Sequence, residues 1–136
     1  MFSVYISDSN SPDALAIIGA ADLPLIATPF TELEVENAIH QRLFRRELTA
    51  ADVKAAIGSF RRDIADFVFD IKPFNAEMFR TALSISSRHT PSLGTRSLDV
   101  LHVAAAVILG TDEFITFDRN QAKLASAQGL VVRTKR

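Results

Sequence analysis

Three acidic side chains lie where an α/β protein commonly places its functional groups. Asp118 directly follows the apolar run 113–117, Glu34 lies in the first turns of the helix expected after residues 23–27, and Asp99 opens a helix with almost no polar face. In an open parallel sheet, ligands bind beyond the carboxyl ends of the strands, where loops lead into helices. Each acid also has a purely structural explanation, because Asp caps helices well and helix N-termini favour carboxylates.

Asp99 has the weakest structural explanation of the three. The segment 100–109 that follows it is apolar nearly all round and ends at Gly110, and its nearest polar neighbour is His102, one turn away. An acid that enters a buried core needs a partner. A hard divalent cation such as Mg²⁺ is one such partner, and converging acids with Mg²⁺ would activate water and neutralise charge on a phosphodiester. This pattern favours nuclease chemistry.

Helices that alternate with short apolar strands predict the fold class. Parallel strands need crossover connections, so the alternation indicates an α/β fold in which a parallel sheet is flanked by helices. No repeat or Pro/Gly/Ser-rich linker interrupts the chain, so we expect a single domain over residues 1–136. The expected helices are 13–21, 30–47, 49–67, 76–88, 97–109 and 120–128, and the expected strands are 23–27, 113–117 and 130–132.

Composition narrows the class of protein further. Absence of cysteine excludes disulfide scaffolds, thiolate zinc sites and cysteine nucleophiles, and fits a cytoplasmic protein. The longest apolar run, 103–109, is far shorter than the roughly 20 residues of a membrane span, and no signal peptide is visible. The 15 basic and 16 acidic residues give a net charge of −1, so any nucleic-acid binding must be local.

The C-terminal half carries a family resemblance. The segments Arg96–Ala106 and Phe114–Arg119 resemble the corresponding half of VapC-type PIN domains, in which one Asp opens an alanine-rich helix and a second Asp follows a strand. The resemblance implies that Asp99 and Asp118 are metal-site acids and that Thr116 orients the latter. It also implies a PIN-like three-layer fold.

The upstream acid is selected by the same resemblance. The segment 31–38 resembles the family's helix with a conserved Glu three residues before an Asn-Ala pair, here Asn37 and its neighbour. This spacing selects Glu34 and leaves Glu32 and Glu36 as surface charges. Helix geometry agrees, because residues three and four apart share a face.

VapC-type PIN domains imply an activity and partners. They are Mg²⁺- or Mn²⁺-dependent endoribonucleases that act on single-stranded RNA, the toxins of type II toxin–antitoxin pairs, with a cognate antitoxin and usually a homodimer. Because Arg96 and Arg119 each adjoin a candidate ligand, we expect them, with Thr116, to contact the RNA. His102, which by resemblance occupies a position where the family often has His, and Asn37 are expected to support the metal ligands. Three alternatives stay open: a PIN-like module that binds RNA or antitoxin without cleavage, a small-molecule α/β domain, and, for His102 alone, a purely structural core histidine.

The N-terminus departs from the family pattern. Family members begin with an apolar strand that ends in Asp, followed by Thr or Ser and a helix, and residues 2–6 resemble the continuation of that helix. We therefore expect the first strand to be missing or shortened, and the first metal ligand to be missing with it. In a competing interpretation residues 2–6 form a strand and Asp8 replaces the lost acid. Catalysis would then depend on residues before Met1 or on Asp8.

Overall fold

Helices dominate the fold, which the computed structural model describes for residues 11–134. Four short parallel strands alternate with the helices, and this confirms the predicted α/β class. Residues 1–10, where the shortened strand and Asp8 were expected, lie outside the described range. The helices are α1 (Ser11–Ala20), α2 (Pro29–Phe44), α3 (Ala50–Ala65), α4 (Ala76–Leu93), α5 (Ser97–Ile108) and α6 (Arg119–Ala127), and the strands are β1 (Leu25–Ala27), β2 (Phe69–Ile71), β3 (Glu113–Ile115) and β4 (Val131–Arg133).

The chain divides into two compact units, Met1–Pro73 and Phe74–Arg136. The expectation of a single domain over all 136 residues stays a prediction. Within residues 11–134, no helix combines the length and the apolar character needed to cross a bilayer.

The N-terminal unit is a crossover built from two helices. β1 and β2 pair in parallel with Leu25 opposite Phe69, and α2 and α3 connect them. Val35, Ile39, Phe60 and Phe69 are buried in its core, where the rings of Phe60 and Phe69 pack edge to face at 5.8 Å. Complete burial of a side chain such as Ile39 stabilises the fold by about 1.5–3 kcal/mol.

A reciprocal cap starts α3. The Thr49 hydroxyl accepts a hydrogen bond from the Asp52 backbone N–H at 3.1 Å, and the Asp52 carboxylate accepts one from the Thr49 N–H at 2.9 Å. The bond from the Thr49 backbone N–H is the main cause that lowers the pKa of the Asp52 carboxyl below its ordinary value, and a hydrogen bond from the Thr49 hydroxyl to the same carboxyl adds to it. Thr followed three residues later by Asp has the spacing of a capping box, with the shorter acid in place of Glu.

The buried face of α2 differs from the apolar spacing that predicted the helix. Leu33 and Phe44 are 63% and 88% exposed, whereas Val35 and Ile39 are buried. Residues four apart lie on one helix face, so a single pair of β-branched side chains is enough to seat α2 on α3 and β2. The helix was predicted over 30–47 from the recurrence of Leu33, residues 37 or 38, residue 41 and Phe44 every three or four positions, but that recurrence did not mark its inward face.

The C-terminal unit repeats the crossover with one helix. β3 and β4 pair in parallel with Glu113 opposite Val131, and α6 connects them. α4, α5 and α6 pack around a core that includes Ile85, Val103 and Leu124. Because α6 is the next element along the chain, the carboxyl end of β3 leads into the N-terminus of α6.

Candidate metal centre

Asp99 is held at the start of α5. Its side chain is largely buried, with the residue 7% exposed, and Oδ2 accepts a hydrogen bond from the backbone N–H of Arg96 at 3.2 Å. Arg96 immediately precedes the helix, so this bond satisfies one of the backbone donors that a helix N-terminus leaves unpaired. The carboxylate is thereby fixed where α5 enters the core.

Asp118 is held from both sides at the carboxyl end of β3. Its backbone N–H donates to the hydroxyl of buried Thr116 at 3.0 Å, and its Oδ1 accepts from the backbone N–H of Gln121 at 2.8 Å. The second bond makes Asp118 the N-cap of α6. Oδ2 is the oxygen of this carboxylate that does not cap the helix.

A single guanidinium bridges the two carboxylates. Arg96 places Nε 3.5 Å from Oδ2 of Asp99 and Nη2 3.5 Å from Oδ2 of Asp118. The side chains of the two acids are 10% and 40% exposed, whereas that of Arg96 is 79% exposed. Long contacts from an exposed cation are weak in water. The geometry nonetheless shows that acids from two helices present oxygens to one positive charge.

Gln121 is a member of this cluster that the sequence reasoning missed. Its backbone N–H donates to the capping Oδ1 of Asp118. Its side-chain Nε2 lies 3.5 Å from Oδ1 of Asp99, at the long limit of a hydrogen bond. A signal was present, because Asp118 followed three residues later by Gln121 has the spacing of a capping box. That pattern predicts the helix start but not the reach toward Asp99.

The upstream acids lie on α2, in the N-terminal unit. Glu34 and Asn37 are exposed there. Glu36 accepts from Nε and Nη2 of Arg61 on α3 at 2.8 and 3.1 Å, a pairing that raises the pKa of Arg61. Glu36 therefore has a structural partner, as expected for a surface charge.

The remaining predicted residues flank the C-terminal cluster or lie outside it. His102 is partly buried on α5 one turn after Asp99, and Arg119 is exposed at the first position of α6. Asp8 lies outside the described residues. Within residues 11–134, neither unit by itself brings together three or more His, Asp or Glu side chains that could hold a metal ion.

A comparison with known protein families identifies the family of the chain that carries this cluster. The family model described as PIN domain matches residues 2–127, which is nearly the whole chain. The chain belongs to the PIN domain family. PIN domains are in general nucleases that use divalent metal ions. No individual curated protein matches this PIN domain.

The donor set of this PIN domain fits such an ion. The groups that converge are carboxylate oxygens, which are the ligands that hard cations such as Mg²⁺ and Mn²⁺ prefer. Asp99 and Asp118 are each fixed by a backbone hydrogen bond, so their oxygens are held in place before any ion binds. The guanidinium of Arg96 contacts both carboxylates, one through Nε and the other through Nη2.

Proposed function

We propose that this PIN domain is a Mg²⁺- or Mn²⁺-dependent endoribonuclease that cleaves single-stranded RNA as the toxin of a type II toxin–antitoxin pair in the cytoplasm. The observation that supports it best is the convergence of Asp99 and Asp118 on one cation at the carboxyl end of β3. Family membership supports the nuclease class. The resemblance to VapC-type sequences supports the choice of RNA.

The proposed roles follow from how each acid is held. Asp99 and Asp118 would hold the ion, and Glu34 would supply a further carboxylate. A divalent ion held there would supply a coordinated water of lowered pKa and would neutralise negative charge on the phosphate. Thr116 would keep Asp118 in register through its bond to the backbone, while His102 and Asn37 would support the neighbouring ligands.

Two arginines would bind the substrate. A guanidinium can donate two parallel hydrogen bonds to a phosphate, which gives both affinity and orientation. Arg96 and Arg119 are exposed and directly adjoin the start of α5 and the cap of α6. An RNA phosphate at the metal centre would therefore meet both side chains.

A protein partner is part of the proposal. Cognate antitoxin and a second copy of the chain would both need apolar surface to bury, and Leu33, Phe44 and Leu83 are each more than 60% exposed. These side chains support an interaction in general without selecting between the two partners.

The test removes charge while keeping shape. Asp99→Asn, Asp118→Asn and Glu34→Gln are each compared with matched controls, Asp112→Asn at an exposed position and Glu32→Gln at a partly buried one. We expect each of the three site variants to lower Mg²⁺-dependent cleavage of single-stranded RNA by at least about a hundredfold and to abolish growth arrest, because ligand oxygens lost from a pre-organised site are costly. The controls should cleave like the parent.

Two results would contradict the proposal. Undiminished cleavage by Asp99→Asn would exclude this metal centre as the catalytic one. RNA or antitoxin binding by the parent chain without cleavage in Mg²⁺ or Mn²⁺ would support the alternative, a PIN-like binding module. Circular dichroism of each variant verifies that the loss does not reflect unfolding.

A further inference from the structure

We propose that the guanidinium of Arg96 is the counter-ion of Asp99 and Asp118 in the metal-free protein, and that a divalent metal ion binds these acids only by displacing it. The inference rests on the proposed function, since it takes these two acids as metal ligands. It concerns a separate property, the competition between a side chain and an ion for the same oxygens.

The competition follows from which oxygens Arg96 contacts. It faces Oδ2 of Asp99 and Oδ2 of Asp118, while Oδ1 of Asp118 is engaged by the backbone of Gln121. The Asp118 oxygen that an ion shared by both acids would use is therefore Oδ2, which Arg96 contacts. The Asp99 oxygen would be either Oδ2, which also accepts the Arg96 backbone N–H, or Oδ1, which lies 3.5 Å from Nε2 of Gln121. Mg²⁺ binds oxygen at about 2.0–2.1 Å, so an ion on Oδ2 of Asp118 would lie directly beside the guanidinium, and their like charges would repel.

Arg96 is able to leave without loss of the helix start. Its side chain is 79% exposed and its contacts to both acids are 3.5 Å long, so few interactions hold it. The bond that fixes Asp99 comes from the Arg96 backbone N–H, which stays in place when the side chain moves. The displaced guanidinium would remain beside the metal centre, where an RNA phosphate would bind.

A purely structural role for Arg96 predicts the opposite effect. If the side chain served only to tie the N-termini of α5 and α6 together, its removal would let the two acids separate and would weaken metal binding. If it is a competitor, its removal must strengthen metal binding. The sign of the change in affinity therefore separates the two roles.

The experiment measures Mn²⁺ binding by titration calorimetry on metal-depleted protein without RNA. Arg96→Gln removes the competing charge, Arg119→Gln removes the same charge beside Asp118 without removing the bridge, and Arg96→Lys restores a cation. We expect Arg96→Gln to bind Mn²⁺ roughly three- to tenfold more tightly than the parent, since two exposed ion pairs are lost. Arg119→Gln should change affinity by less than about twofold, and Arg96→Lys should return toward the parent.

A thermal measurement provides the second readout. Arg96→Gln should melt below the parent without metal, because two acids lose their counter-ion, and Mn²⁺ should raise its melting temperature more than that of the parent. Equal or weaker Mn²⁺ affinity in Arg96→Gln, with binding by the parent intact, would overturn the competition alone. Absence of Mn²⁺ binding in the parent and in all variants would overturn the proposed metal centre as well.

Discussion

The hydroxyl of Thr116 holds the loop between β3 and α6 in place. Thr116 is 7% exposed, and its oxygen accepts the backbone N–H of Asp118 at 3.0 Å. A donor left unpaired in a buried turn costs about 1–3 kcal/mol. The position of Asp118 therefore depends on one oxygen that carries no charge.

Replacement of that oxygen by a methyl group gives a direct test. We expect Thr116→Val, which preserves shape, to lower the free energy of unfolding by about 1–2 kcal/mol and to weaken Mn²⁺ binding. Thr116→Ser keeps the hydroxyl and should retain most of both properties. Urea unfolding and calorimetry measure the two effects, and a Thr116→Val protein as stable as the parent would contradict the assignment.

The sequence identified single residues better than it identified their partners. Asp118 could be selected because a carboxylate between a strand and a helix is a recognisable pattern, and Asp99 because it opens a helix with almost no polar face. The bridge through Arg96 and the reach of Gln121 could not, because spacing along a chain does not fix where a long side chain points. The role of Arg96 in phosphate binding stays a prediction.

At the scale of elements, four helices end in the same way. α2, α3, α5 and α6 each close with the bond pair of a Schellman motif around a residue at positive φ. In α5 and α6 that residue is Gly110 and Gly129, and in α2 and α3 it is Arg46 and Phe67. Non-glycine residues pay a steric cost in this region of the backbone.

That cost predicts a stabilising substitution. Phe67 has φ of 60° and is 58% exposed, so Phe67→Gly should raise the free energy of unfolding by about 0.5–1 kcal/mol. Its neighbour Asp66 has φ of −83°, where glycine brings only entropy cost, and Asp66→Gly should be destabilising. Chemical denaturation of both variants checks the pair, and a destabilised Phe67→Gly would refute the explanation.

The same helix ends explain where element boundaries were predicted well. The ends of α5 and α6 were placed to within one residue because glycine marked them, whereas α2 and α3 were drawn too long because Arg46 and Phe67 carry no such signal. β2 was missed because only three strand residues follow the apolar series of α3. α4 continues through Pro91 to Leu93, beyond the predicted end at residue 88.

At the scale of the whole molecule, charge determines how RNA can be recognised. A net charge of −1 provides no long-range attraction for a polyanion. Binding would depend on a few local contacts, chiefly the two arginines beside the C-terminal cluster. Few phosphate contacts release few counterions, and the dependence of the RNA association constant on salt concentration measures the number of these contacts.

Salt dependence is therefore the measurement at this scale. With two phosphate contacts, the logarithm of the RNA association constant should fall against the logarithm of salt concentration with a slope of about −1.4. The Asp99→Asn protein, which we expect not to cleave, can be titrated with single-stranded RNA in Mg²⁺ by fluorescence anisotropy. A slope steeper than about −3 would require a wider basic surface than the two arginines provide.

The fold class followed from the sequence because alternation of strands and helices has few solutions. The division at Pro73 did not, because nothing in the composition there resembles a linker. Each unit carries its own buried core, and core contacts between distant residues leave no local mark in a sequence.

The separate roles of the two oxygens of Asp118 affect how a protein of this kind could lose its activity by mutation during evolution. One oxygen starts a helix and the other faces the bridging arginine, and an asparagine would serve the first duty as well as an aspartate does. A mutation from Asp to Asn at this position would cost little in folding, so purifying selection for stability would not remove it. Among descendants released from selection for cleavage, we expect asparagine at this position to accumulate well before alanine.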